Sequence, residues 1–274
     1  MTGGGGSTVD EPELPRPTTV SRFRSRSDQA EPDVLGEDVL VVVDRAVDPY
    51  LVVFHDPSSF RAEQFRALRN QLIAMNPDGE SKTLIVASAV KGEGKTVTAI
   101  NLALAFAELE RHPICLVDAD LREPSVEEYL NLNPAPGLSD VLLDRVPLRS
   151  AVRESGIRNL SVLGAGTRLG APSEVLSVPR IEGLFGSLKE RFRYVIIDTP
   201  PVLPATDASV LAARADGTLF AVRLEYSAKS HTKEAIRTVQ DLGANVLGVF
   251  VTEVRGSDPD HDPRLSYRMR THED

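Results

Sequence analysis

The 274-residue chain has no tryptophan, only five tyrosines, three methionines and one cysteine. A single cysteine excludes an intrachain disulfide framework and a cysteine zinc site. Cys115 stands inside the apolar run 114–117, where a lone cysteine reads as a small buried hydrophobe. Positive charge is also in deficit: 31 Lys and Arg face 40 Asp and Glu, a formal net charge of −9. That balance argues against a nucleic-acid partner, which calls for clustered cations to neutralise phosphates. No apolar run approaches the ~18 residues of a membrane span. No apolar stretch follows a basic region at the N-terminus, so no signal peptide is expected and the expected location is the cytoplasm. What the chain does have is ordinary globular usage, 41% hydrophobic and 26% charged, enough for a sizeable core.

Residues 1–37 hold a glycine run, Pro12, Pro15 and Pro17, and the alternating Arg22, Arg24 and Arg26. Too few apolar groups are present to offset ordering entropy, so a disordered tail is expected. Residues 255–274 are polar and read as a flexible tail. Residues 38–254 between them form one domain. The runs Val39–Val43 and Leu51–Phe54 are expected to be a lead-in strand pair. Ser58 or Ser59 then caps a helix whose core stripe is Phe65, Leu68, Leu72 and Met75. Further strands are expected at 83–88, 113–117, 159–163, 194–197, 218–222 and 246–251. Helices are expected at 96–110, 181–192 and 233–242. Several strands are short, continuous and apolar rather than alternating, which suits a mainly parallel sheet covered by helices on both faces. The fold class is therefore α/β.

The segment Ala89-Val90-Lys91-Gly92-Glu93-Gly94-Lys95-Thr96 fits a relaxed P-loop, with a strand running in and a helix running out. Gly92 and Gly94 let successive N–H groups turn toward phosphate oxygens, and the helix adds its positive N-terminal end. Lys95 is placed to reach the terminal phosphates, and Thr96 offers a hydroxyl to a metal. Such a loop needs an acidic partner at the end of a neighbouring strand. Two apolar strands run directly into aspartate, giving Asp118-Ala119-Asp120-Leu121-Arg122 and Asp198-Thr199-Pro200-Pro201. In an open parallel sheet such strand ends line the ligand crevice, so Asp118, Asp120 and Asp198 are expected to converge on the loop. Asp207 reads either as support for this site or as a helix cap.

Taken together, the P-loop, DxDxR and DxxP motifs resemble the bacterial tyrosine kinases (BY-kinases) of capsule and exopolysaccharide systems, the CpsD/CapB-like group within the MinD/ParA-like P-loop ATPases. The resemblance runs from about Val47 to Val254. It implies a P-loop NTPase fold, ATP and Mg²⁺ as cofactors, and transfer of phosphate to a tyrosine hydroxyl. Nucleotide would be held by Lys91, Gly92, Glu93, Gly94, Lys95, Thr96, Val97 and Arg122, and the metal by Thr96, Asp120 and Asp198. Lys95, Asp118, Asp120 and Asp198 would be catalytic, with Asp118 the first choice as base and the roles of Asp118 and Asp120 not separable in sequence. Arg122 would bind phosphate or an acidic segment, or else pair with Glu123 or Glu127. Glu63, Arg66 and Arg69 match the family's ExxRxxR helix, which implies self-association as a homo-oligomer; their plain reading is a solvated charged face. The implied partners are a membrane chain-length regulator on a separate chain, placing the protein peripherally at the inner membrane, and a tyrosine-containing protein substrate.

The sequence departs from the family pattern in three places. Lys91 stands where proline is frequent, and it resembles the second lysine of partitioning ATPases. Thr252 stands where an asparagine tends to read the adenine. The tail carries one tyrosine, Tyr267, rather than a cluster, which makes it the candidate phospho-acceptor. A MinD/ParA-like ATPase switch without kinase activity is the alternative reading.

Overall fold

A computed structural model describes residue 1 and residues 47–169 and 172–253. The expectations for Val39–Val43, for both tails and for Tyr267 therefore fall outside the described residues. Strands β1 (Lys82–Ala87), β2 (Ile114–Asp118), β3 (Arg153–Glu154), β4 (Leu160–Leu163), β5 (Tyr194–Asp198), β6 (Gly217–Arg223) and β7 (Val246–Thr252) form one sheet in the order β3-β4-β2-β5-β1-β6-β7. Every pairing is parallel except that of β3 with β4.

The apolar runs split between the two faces of this sheet. Ile85, Ala87, Cys115, Val117, Val195 and Ile197 enter one core with α7 (Val178–Lys189), α8 (Asp207–Ala212) and α9 (Lys229–Asp241). Leu84, Val86, Ile114, Leu116 and Ile196 enter the other, under α2 (Phe60–Ala74) and α3 (Lys95–Ala107). Because both faces are covered, continuous apolar strands are the stable choice and alternation is lost. Cys115 is fully buried, and burial pushes its thiol up to about 12, so it behaves as the inert hydrophobe expected.

The topology sets the position of the site. β1 lies between β5 and β6, and β5 lies between β1 and β2. The register aligns Val86 with Asp198 and Asp198 with Asp118, so the ends of β1, β5 and β2 lie side by side.

Six elements differ from the sequence reading. Residues Leu51–Phe54 are not a strand; α1 (Val52–His55) is a helical turn. The buried Asn101 of α3 decides this, accepting from the Val53 N–H at 3.0 Å and donating to the Tyr50 carbonyl at 3.0 Å. The α2 stripe stops a turn early. Ser59 caps α2 by accepting from the Ala62 N–H, and Phe65 and Leu72 are buried, but the helix ends at Ala74 and Met75 is exposed. The short helices α4 (Val126–Tyr129), α5 (Leu138–Leu142) and α6 (Leu148–Ala151), and strand β3, had no sequence signal. Four or five residues are too few to display a 3.6-residue period.

The ExxRxxR face is not simply solvated. Arg69 is 8% exposed and donates to the Ala105 carbonyl at 2.7 Å and to Glu108 at 3.2 Å. Arg66 grips Glu108 through two nitrogens, at 2.9 and 2.6 Å. The two arginines thus tie α2 to the C-terminal turn of α3, where cations also meet the negative end of the helix dipole. Arg69→Ala is expected to destabilise the fold by about 2 kcal/mol, lowering the thermal midpoint by roughly 4–8 °C. Glu63→Ala, on an exposed side chain, should stay within about 0.5 kcal/mol. Circular-dichroism melts of the two variants check the contrast; equal melts would show that the Arg69 contacts contribute nothing.

Candidate active site

The loop between β1 and α3 is braced from within. The Ser88 hydroxyl donates to the Val90 carbonyl at 2.9 Å, and the buried Glu93 carboxylate accepts from the Val90 N–H at 2.9 Å. The Val202 and Leu203 N–H groups donate to the Ser88 and Ala89 carbonyls, which ties this loop to the Pro200-Pro201 turn. Gly92 and Gly94 both sit at φ 85°, a conformation in which a side chain is strained. Gly94 is the N-cap of α3 and offers no capping side chain, so the first-turn N–H groups stay available to an anion.

Lys95 and Thr96 open α3 and meet the strand-end carboxylates. The Lys95 ammonium lies 3.1 Å from Asp120 and 3.9 Å from Asp198. The Thr96 hydroxyl donates to Asp198 Oδ2 at 2.7 Å. The other Asp198 oxygen, Oδ1, is buried without a hydrogen-bond partner among the described residues. Asp118 and Asp120 part company here. Asp120 pairs with Lys95 through Oδ2 and accepts from the Glu123 N–H through Oδ1. Asp118 accepts N–H groups from Asp120, Ser125 and Val126 and shapes the loop that carries Arg122.

Electrostatics follow from burial and register. Asp118 is fully buried beside Asp198, and desolvation, then the Asp198 charge, pushes it up to about 7. Desolvation pushes Asp198 up to about 6, with Lys95 and the Thr96 hydroxyl pulling the other way. Burial works to lower Lys95, but Asp198 and Asp120 outweigh it and hold the ammonium above its usual range. Both aspartates hold protons in the folded state at pH values where the unfolded chain has lost them. Between about pH 4 and 7 the native state therefore binds more protons, and stability falls as pH rises. The thermal midpoint of the ligand-free protein is expected to drop from pH 5 to pH 8. Asp118→Asn should flatten that slope; a slope unchanged in the variant would remove Asp118 as its source.

Arg122 corrects the sequence reading of its partners. Its Nε donates to the buried Asp207 at 2.7 Å, and it pairs with neither Glu123 nor Glu127. Those two glutamates are held by Lys91 and Arg153. Asp207, at the start of α8, thereby positions a guanidinium that remains 43% exposed at the mouth of the site. Lys91 lies out on the surface, its side chain 76% exposed. Val97 is half-buried in the first turn of α3. Glu63, Arg66 and Arg69 lie together on α2 and take no part in this cluster. The sequence reading missed Arg223 and Tyr226, which reach the P-loop from the last residue of β6 and the turn after it. It noted Thr252 without seeing that its hydroxyl donates to the Glu93 carbonyl at 3.0 Å. Residues so far from the loop in sequence carry no local signal of these contacts.

A parallel sheet with a glycine loop, an inward lysine and aspartates at the ends of adjacent strands defines a P-loop nucleotide-binding domain. The family model described as an AAA domain matches residues 81–247. The chain is similar to the tyrosine-protein kinase YwqD of Bacillus subtilis, 34% identical with 72% of this chain and 85% of that protein covered. It is also similar to the putative tyrosine-protein kinase CapB of Staphylococcus aureus, 28% identical over 74% of this chain and 89% of that one. Among solved structures, the kinase domain of the Escherichia coli tyrosine kinase ETK superposes with a TM-score of 0.70 at 25% identity, covering 73% of this chain and 78% of that one. MinD of Pyrococcus horikoshii, at TM-score 0.55 and 22% identity, covering 62% of this chain and 70% of that one, shares the fold. The chain belongs to the bacterial tyrosine-protein kinases, a branch of the AAA-type P-loop domains.

Proposed function

We propose that this chain is an ATP- and Mg²⁺-dependent protein-tyrosine kinase acting in capsular or exopolysaccharide biosynthesis and export. The observation that carries it is the convergence of Lys95, Thr96, Asp120 and Asp198 beside the glycine loop, in a chain of this family. A divalent cation suits the site: a buried Asp198 carboxylate oxygen with no hydrogen-bond partner among the described residues, and only the Lys95 charge at 3.9 Å, lies beside a threonine hydroxyl. Among the described residues no cluster of three or more His, Cys, Asp or Glu could hold a metal. Thr96 and Asp198 would therefore hold Mg²⁺ together with phosphate oxygens and water, its usual mode of binding. When bound, Mg²⁺ neutralises charge on the transferring phosphoryl group.

The residues of the chain do the rest. Backbone N–H groups of 92–96 hold the phosphates. Lys95, held by Asp120 at 3.1 Å in the ligand-free chain, would reach the terminal phosphate oxygens. A phenol titrates near ~10, so its attack benefits from a base. Asp118, raised by desolvation and by the Asp198 charge, is the base we assign; the incoming hydroxyl would have to displace one of the backbone N–H groups that its buried oxygens now accept. Arg122, oriented by Asp207, meets the incoming segment or phosphate. Among the described tyrosines, Tyr50 and Tyr226 are exposed and Tyr194 is buried. Tyr267 or a protein substrate is the acceptor we propose.

The partners belong to the same proposal. Among the described residues no helix is long and apolar enough to cross a membrane. We assign the membrane chain-length regulator to a separate polypeptide that activates the kinase and brings it to the inner membrane as a homo-oligomer. The exposed Lys91 favours the second reading, an ATPase switch of the partitioning type. Incubation with ATP and Mg²⁺, with and without a candidate activator, followed by phosphotyrosine detection, separates the two. Phosphotyrosine on Tyr267 or a substrate is the expected result. ATP hydrolysis with no phosphotyrosine on any protein would overturn the kinase reading in favour of the switch.

A further inference from the structure

Three successive carbonyls of the glycine loop are each held by a side chain from the β6–β7 end of the sheet. The Tyr226 hydroxyl donates to the Lys91 carbonyl at 3.2 Å. The Arg223 guanidinium donates to the Gly92 carbonyl at 3.4 Å. The Thr252 hydroxyl donates to the Glu93 carbonyl at 3.0 Å. We propose that Arg223, Tyr226 and Thr252 are positioning residues forming a clamp that presets the loop N–H groups for phosphate.

Peptide geometry supplies the reason. In a planar trans peptide the C=O and the following N–H point in opposite directions. Pinning the carbonyls of Lys91, Gly92 and Glu93 toward β6 and β7 turns the N–H groups of Gly92, Glu93 and Gly94 the other way. Such a row of N–H groups is an anion-binding concavity. Left unpinned, each peptide could rotate, and phosphate would bear the ordering cost on binding.

The clamp is itself held in place. Arg223 and Thr252 are the last paired residues of β6 and β7, in register with each other. The Leu224 N–H donates to the Thr252 carbonyl at 3.0 Å, and the Ser227 hydroxyl accepts from the Arg223 N–H at 2.9 Å. Glu225 takes φ 61°, and this turn carries Tyr226 back over the loop, where the Arg223 guanidinium lies 5.3 Å from its ring centre. The fit against the glycines is close. A Cβ on Gly92 would lie 3.3 Å from the Tyr226 hydroxyl, and one on Gly94 would lie 3.4 Å from the Thr252 hydroxyl. Tyr226 is 56% exposed, so little apolar burial explains its position. The clamp rests on nucleotide binding at the loop and not on the kinase reading.

The test uses the full chain, Mg·ADP titrated by calorimetry, and melts without ligand. Tyr226→Phe and Thr252→Val each remove one donor while keeping shape. Each is expected to weaken Mg·ADP about 3- to 10-fold, with ligand-free melts unchanged. Thr252→Ser, which keeps the hydroxyl, should restore affinity. Wild-type affinity in both donor-deleted variants would overturn the clamp and leave the phosphate loop standing. Failure of Thr252→Ser to rescue would overturn the role of the Thr252 hydroxyl. A wild-type chain that binds no Mg·ADP would overturn nucleotide binding itself, and the clamp with it.

Discussion

Lys95→Met is expected to abolish phosphotyrosine formation, with turnover falling by about 10²–10³ or more. Lys95 is the cation placed between Asp120 at 3.1 Å and Asp198 at 3.9 Å, at the first residue of α3. Phosphoryl transfer depends on positioning and charge neutralisation more than on covalent chemistry, so loss of this charge removes the main protein contribution. The same substitution should cost stability. Asp120 and Asp198 are buried, and removing their shared counter-charge leaves two carboxylates in a poor solvent. Breaking such a pair costs about 3 kcal/mol. Labelled ATP measures the first effect and a thermal melt the second. A methionine variant that still forms phosphotyrosine at the wild-type rate would remove Lys95 from the site.

Asp198→Asn is expected to act in opposite directions on activity and stability. Metal-dependent turnover should fall by about 10²-fold or more, because the amide is a weak ligand for a hard cation. The ligand-free fold should gain about 1 kcal/mol, read as a rise of roughly 2–4 °C in the thermal midpoint. The amide oxygen still accepts the Thr96 hydroxyl, and Lys95 keeps Asp120. What disappears is a fully buried charge and its repulsion of Asp118, its neighbour across β5 and β2. A lower midpoint would show instead that the Lys95–Asp198 attraction outweighs the burial cost.

Much of this architecture was legible in the chain itself. The apolar runs at β1, β2, β5 and β6, and the glycine loop joining a strand to a helix, are local patterns. A strand ending in Asp118 or Asp198 is as readable in sequence as in space, and the aspartates met where the parallel sheet required. The misreadings were local signals overridden from a distance. Leu51–Phe54 is apolar enough for a strand, yet Asn101 supplies hydrogen bonds that favour a turn of helix. Arg69 carries a charge that sequence reasoning leaves in solvent, yet the open carbonyl end of α3 gives it a buried partner.

Local patterns were enough for the α/β class, the glycine loop, and the expectation that Lys95, Thr96, Asp118, Asp120 and Asp198 converge. These follow from periodicity, turn chemistry and motif spacing, which act over a few residues. How these residues are wired depends on contacts between distant parts of the chain. Asp207 reaches Arg122 across 85 residues, Tyr226 reaches Lys91 across 135, and Thr252 reaches Glu93 across 159. The tertiary structure also decided that Asp118 and Asp198 are raised and that Asp120 lies nearest Lys95, because desolvation and strand register depend on every neighbour the fold assembles. The few tyrosines carry the same lesson. One of the five, Tyr226, stands against the phosphate loop, a position that strand order imposes and no local pattern marks.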